Sequence, residues 1–207
     1  MKIGILALQG DFLEHSAILE RLGAEVIAVR QPRHLEGLDG LVIPGGESTT
    51  MLNLMHCYHL FQPIRQAARD GLPIIGTCAG MILLAKKVSN PEMDTLALMD
   101  IAVHRNAFGR QVDSFEAMLD MPAVGKEPFT AVFIRAPFIG ETGADVEILG
   151  SLPDGAIVAA RQGNLLALAF HPELGSDTRL HRYFLEMAGE YKRAKSTTAA
   201  GKAITAD

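Results

Sequence analysis

The sequence predicts an α/β fold: a mostly parallel central sheet flanked by helices, with antiparallel strands added to it. Three observations carry this. Up to Lys87, short continuous apolar runs alternate with stretches of helical periodicity, the pattern of a parallel sheet covered on both faces. Beyond Lys87, strand-like pieces follow one another across short turns rich in Gly, Pro and Asp, as antiparallel hairpins do. A single amphipathic helix then closes the chain.

The elements follow in order. "KIGILAL" (2–8) is an apolar run suited to a strand buried on both faces. Asp11 and Glu14 form a capping pair for a helix starting near Phe12. His15, Ile18, Leu19 and Leu22 recur along that helix at helical spacing, and Gly23 ends it. "EVIAV" (25–29) and "GLVIP" (40–44) are the second and third strands. A helical stretch runs from Met51 to Asp70 with an interruption near Pro63. "LPIIG" (72–76) is the fourth strand, and "MILLAKK" after the following corner reads as helix. In the second half the strand candidates are 97–103, 113–119, 129–134, 145–149, 156–161 and 164–170. The closing helix spans about Asp177 to Ala194, with Leu180, Phe184, Met187, Ala188 and Tyr191 on one stripe. The expected organisation is one domain over 1–194 and a small, polar, disordered tail over 195–207.

Composition narrows the function. Lys and Arg total 19 against 24 Asp and Glu, a net charge of −5. No basic run with interleaved aromatics is present, which argues against a nucleic-acid surface. Two cysteines, Cys57 and Cys78, are too few for a disulfide framework and point to a reducing cytoplasm. The apolar run at the N-terminus stops at Gln9, too short for a signal peptide. No run approaches the ~18 apolar residues of a membrane helix.

The chemistry centres on "GTCAG" (76–80), a cysteine at a strand-to-helix corner between two glycines. It is the cysteine counterpart of the Gly-x-Ser-x-Gly nucleophile elbow. A side chain two residues either side of such a corner would collide, and glycine removes the collision. The helix starting at Ala79 turns its N-terminal N–H groups and positive dipole end toward the sulfur, favouring the thiolate. By itself the pentapeptide is equally a tight packing junction.

A thiol nucleophile needs a base. Of seven histidines, His15, His34, His56, His59 and His181 lie in polar helical or loop contexts, most of them expected at the surface, and His104 follows a strand. His171 differs, because it ends the apolar run "LLALAF" and opens "HPE". Residues i and i+2 of a strand share a face, so Glu173 can orient His171. "IPGGESTT" (43–50) lacks the spacing and lysine of a phosphate-binding loop. An oxyanion hole built from the Gly46 and Ala79 amides is the better use of it, beside the plain alternative of a turn capped by Ser48. "HCYH" (56–59) announces no further ligands, so a metal is not expected.

These segments together resemble the class I (triad) glutamine amidotransferases, whose elbow reads Gly-x-Cys-x-Gly and whose partners read His-Pro-Glu. "LALQGDFLEH", "LVIPGGESTTM", "GTCAGMILLAK", "RNAFGRQVDSFE", "FIRAP" and "FHPEL" are similar, more narrowly, to the glutaminase subunits of pyridoxal 5′-phosphate synthase. The resemblance implies a flavodoxin-like fold and hydrolysis of L-glutamine to glutamate and ammonia through a thioester on Cys78. It implies His171 as base, Glu173 as its orienter, and Gly46, Glu47, Ser48, Arg105, Ile134 and Arg135 as glutamine contacts. Gln9 is implied to touch the active-site loop and the partner. The implied partner is a (β/α)₈-barrel synthase subunit that takes the ammonia. No cofactor is implied, since pyridoxal phosphate is the pathway product. Two other readings stay open on the residues: a non-catalytic scaffold for a synthase, and a free-standing cysteine hydrolase acting on another amide or γ-glutamyl peptide.

Overall fold

The structure, a computed structural model, describes residues 1–89, 91–105 and 114–204. Most of "RNAFGRQVDSFE" therefore lies outside the described residues. In chain order the first half comprises β1 (Lys2–Leu6), α1 (Phe12–Arg21), β2 (Glu25–Val29), β3 (Gly40–Ile43), α2 (Ser48–Cys57), α3 (Phe61–Arg69), β4 (Ile74–Thr77) and α4 (Ala79–Leu84). The second comprises β5 (Ala85–Ser89), β6 (Met99–His104), β7 (Ser114–Leu119), β8 (Phe129–Ile134), β9 (Phe138–Thr142), β10 (Glu147–Ser151), β11 (Ile157–Gln162), β12 (Leu165–Leu168) and α5 (Arg179–Ile204).

The main sheet runs β2-β1-β3-β4-β12-β11-β9-β6-β5, with β10 paired to β11. Its first five strands are parallel, the 2-1-3-4-5 order of flavodoxin-like folds with β12 as the fifth. From β12 to β6 the pairing turns antiparallel. β3 and β4 are buried along their whole length, as strands covered on both faces must be. A separate antiparallel hairpin, β7–β8, pairs in unbroken register from Ser114↔Ile134 to Leu119↔Phe129. It is tied to the end of β12 by the His171 N–H, which donates to the Val132 carbonyl at 2.8 Å. No described helix is long and apolar enough to cross a membrane.

Several element boundaries differ from the sequence reading. The 51–70 stretch divides at Tyr58–Leu60, where His59 takes a positive φ of 57°, and Pro63 sits in the first turn of α3, where its missing N–H costs nothing. "MILLAKK" is helical only to Leu84; Ala85–Ser89 instead pairs with β6, so strand pairing overrides helix propensity there. β9, unread in the sequence, is a mixed polar and apolar segment made a strand by β6 and β11. α5 runs to Ile204 instead of ending at Ala194: no proline interrupts 195–204, and adding residues to an existing helix is far easier than nucleating one.

Candidate active site

The site forms where the parallel strands end. Register pairs Thr77 with Leu168 and Ile43 with Gly76, so the segments leaving β3, β4 and β12 emerge side by side. Ligands of open α/β sheets bind at this carboxyl edge.

Cys78 stands at the corner between β4 and α4 with φ 48° and ψ −103°, a conformation that L-residues enter only under strain. Its flanking glycines are required by close backbone approach. A Cβ on Gly80 would strike the Ile43 carbonyl oxygen, and one on Gly76 would lie 2.6 Å from the Gly80 carbonyl carbon. The Cys78 N–H donates to the Leu168 carbonyl at 2.8 Å, which locks the elbow to β12. The side chain is buried apart from a narrow opening, and its sulfur lies 3.9 Å from the Ile134 carbonyl oxygen.

His171 and Glu173 meet as anticipated, by a different local structure. β12 ends at Leu168, and Pro172–Leu174 forms a 3₁₀ turn that folds the two side chains together. His171 Nδ1 lies 2.7 Å from Glu173 Oε1. Burial alone would strip the imidazole of its proton, yet hydrogen bonds to Cys78 and Glu173 outweigh it and raise His171 to about 10. Burial likewise works against an ionised Glu173, and the close approach of His15 and the hydrogen bond from His171 overcome it, holding the carboxyl at about 2. The result is a cationic imidazole between a sulfur and a carboxylate.

A second carboxylate stands close by. Asp11 Oδ2 is 3.3 Å from His171 Nδ1. The sequence assigned Asp11 to capping α1; it occupies the N-cap position but makes no side-chain cap bond, and its carboxyl faces the site instead. Burial, assisted by Glu173 and Glu14 and opposed by His171 and His15, raises its pKa. Asp11, His171 and Glu173 offer ligand atoms within 4.8 Å of one another, but the His171 nitrogen involved is already engaged by Glu173.

The remaining site residues are brought together. Gly46, Glu47, Ser48, Cys78, Ala79, Arg105, Ile134, Arg135 and His171 line one cavity of about 490 Å³, joined by Gln9 and Asp11. Glu173 lies behind His171, buried. Gly46 has φ 155°, and a Cβ there would meet Gln9 Oε1 at 2.6 Å. Gln9 Oε1 also accepts the Glu47 N–H at 2.7 Å, so Gln9 does touch the active-site loop. Glu47, and not Ser48, caps α2: its carboxylate accepts from the Thr49 and Thr50 N–H groups, and its Oε1 lies 3.4 Å from Arg105 Nη2. Arg135 has a positive φ of 44°.

The sequence reading missed a layer behind Glu173. His15 and His181, expected at the surface, are buried, as is Thr77. His15 Nε2 approaches Glu173 Oε2 at 3.2 Å and Thr77 Oγ1 at 3.3 Å, and His15 Nδ1 lies 3.0 Å from His181 Nε2. One signal was available: His15 falls on the apolar stripe of α1 with Ile18 and Leu19.

A flavodoxin-like sheet with a strained cysteine elbow and a His–Glu pair at its carboxyl edge defines a class, the cysteine-dependent glutamine amidotransferases. Residues 5–190 match the SNO glutamine amidotransferase family, and the chain belongs to that family. It is 57% identical over 194 residues to "Pyridoxal 5′-phosphate synthase subunit PdxT" of Dehalococcoides mccartyi, covering 93% of this chain and 100% of the relative. The protein of that name from Pelotomaculum thermopropionicum is 58% identical over 186 residues, 90% of this chain and 94% of the relative. A solved structure described as a glutamine amidotransferase superposes with TM-score 0.85 at 51% identity, covering 90% and 98% of the two chains. Another glutamine amidotransferase structure, from Thermotoga maritima and 14% identical, shares the fold with TM-score 0.60, covering 94% and 85%.

Proposed function

We propose that this chain is the glutaminase subunit of a pyridoxal 5′-phosphate synthase, hydrolysing L-glutamine and delivering ammonia to a (β/α)₈-barrel synthase subunit. One observation carries the chemistry: His171, hydrogen-bonded to Glu173 at 2.7 Å, lines one cavity with Cys78, whose backbone is strained at the strand-to-helix corner. Near-full-length similarity to named PdxT subunits supports the pathway and the partner.

In this reading the Cys78 sulfur adds to the side-chain carboxamide carbon of glutamine, and the carbonyl oxygen takes up negative charge facing the Gly46 and Ala79 amides. The C–N bond breaks as His171 delivers its proton to the departing nitrogen. Ammonia leaves and a γ-glutamyl thioester remains on Cys78. Water then adds to the thioester carbon while His171 takes its proton. The C–S bond breaks, returning the sulfur and releasing glutamate. Glu173 holds the imidazole in orientation and balances its charge. Arg105 and Arg135 suit the substrate α-carboxylate, which guanidinium groups bind well, and Glu47, Ser48 and the Ile134 backbone complete the glutamine contacts. Residues 1–194 act as one amidotransferase domain, in the cytoplasm.

The test is ammonia release from glutamine by the purified chain, alone and with its synthase subunit. Partner-dependent release supports the proposal. Absence of release in both conditions favours a scaffold, and strong partner-free activity on other γ-glutamyl compounds favours a stand-alone hydrolase.

A further inference from the structure

Glu173 has two oxygens and both are buried. Oε1 is committed to His171. Oε2 makes no aligned hydrogen bond, yet it lies 3.2 Å from His15 Nε2. That nitrogen also lies 3.3 Å from Thr77 Oγ1, within hydrogen-bonding geometry. A bare Nε2 would set its lone pair against a buried carboxylate, an arrangement far more costly than a split N–H. The proton therefore sits on Nε2, shared between Oε2 and Oγ1. The other nitrogen of His15, Nδ1, then accepts the Nε2–H of His181 at 3.0 Å. His181 is held neutral, at about 3, by its burial and by the neighbouring His15, and its own Nδ1 has no hydrogen-bond partner among the described residues. Thr77 precedes Cys78 in the chain, so the contacts close a ring: Cys78, His171, Glu173, His15, Thr77, and back through the backbone to Cys78.

We infer that His15 is a positioning residue for the reaction of Cys78: its Nε2–H steadies the second oxygen of Glu173, keeping the first on His171 Nδ1, while its Nδ1 is engaged by His181. The inference rests on the glutaminase reading. It gives α1 a place in the reaction, since His15 ties that helix to the carboxylate and to the strand bearing the nucleophile. The ionisable groups facing the cluster are Asp11 from the loop before α1, Glu14 and Arg21 from α1, His171, Cys78, and His181 from α5. Only His15 reaches Glu173 Oε2 among the described residues.

The experiment compares wild type with His15→Leu, His15→Gln and His15→Asn, each in complex with the synthase subunit. Glutamine can offer an amide N–H at the depth of Nε2, whereas asparagine stops at that of Nδ1. The Leu variant should lose ~10- to 100-fold in kcat with KM little changed, as expected for losing a donor to a buried charge. The Gln variant should stay within roughly threefold of wild type. A second readout needs neither glutamine nor partner: the pH dependence of Cys78 alkylation by iodoacetamide, in a Cys57→Ser background because Cys57 is exposed. With Glu173 less well held, the His171 proton is less well held too, and alkylation in the Leu variant should rise at a higher pH than in wild type, by about one unit or more. Should the Leu variant not fold, Gln against Asn decides, Asn being at least ~10-fold slower. Unchanged kcat and alkylation in the Leu variant, or equal rates for Gln and Asn, overturn the inference. Inactive wild-type complex overturns the glutaminase reading alone, because the alkylation profiles still report on His15.

Discussion

Thr77 of β4 and Leu168 of β12 stand opposite each other in the parallel register. The residues that follow them, Cys78 at once and His171 after a short extension, therefore leave the sheet side by side. Two segments far apart in sequence are joined by this strand pairing, and the proposed reaction would depend on it.

Cys78→Ala should abolish ammonia release from glutamine in the synthase complex while leaving the chain folded, since only one sulfur atom is removed from the buried elbow. Full activity in this variant would sink the account.

His171→Ala should cost ~10²- to 10⁴-fold in kcat, the usual worth of a positioned base. Glu173→Ala should retain more activity than His171→Ala, because an orienting carboxylate acts through its imidazole. Steady-state rates of the two variants, measured side by side, check the order.

Gly45→Ala separates activity from stability. A Cβ there would run into His171 Cε1 and come within 3.0 Å of Asp11 Oδ2. The ring must move away from its bond to Glu173, so kcat should fall by ~10-fold or more, as misplaced catalytic groups do. Gly80→Ala instead meets the Ile43 backbone oxygen, which cannot rotate away. That variant should lose thermal stability as well as activity, read by calorimetry and by rate.

Stability should fall on acidification in two stages. His181 is depressed to about 3 from an ordinary 6.5, so the unfolded chain binds its proton first and stability declines as pH drops from 6.5 toward 3. Glu173 is depressed to about 2 from 4.5; its contribution is complete above 4.5 and is lost as pH falls toward 2. On the alkaline side His171, raised to about 10, contributes fully below 6.5 and loses that contribution as pH rises toward 10. Melting temperature against pH for wild type and His181→Phe tests the first stage: the variant should flatten the slope between 6.5 and 3.

If Arg105, largely buried beside Glu47, holds the substrate carboxylate as proposed, Arg105→Ala should raise KM for glutamine more than it lowers kcat. Arg105→Lys should recover only part of the loss, since ammonium cannot reproduce a forked contact.

The sequence by itself determined the parts whose signals are local. The apolar runs of β1, β3 and β4, the glycine-flanked Cys78 and the His171–Glu173 pair can each be read within a few residues, because backbone clearance and side-chain reach are short-range requirements. Tertiary structure alone decided the rest. β9 became a strand because β6 and β11 present open edges to it, and Ala85–Ser89 left its helix to pair with β6. Asp11 turned from a cap to the candidate site because its N–H is held by the Gly45 carbonyl of the β3–α2 loop, beside the segment after β12 that carries His171. His15 and His181, 166 positions apart, look like surface histidines on amphipathic helices. They are buried against Glu173 only once α1 and α5 lie near the same carboxylate, since burial is a property of what covers a residue and not of the residue.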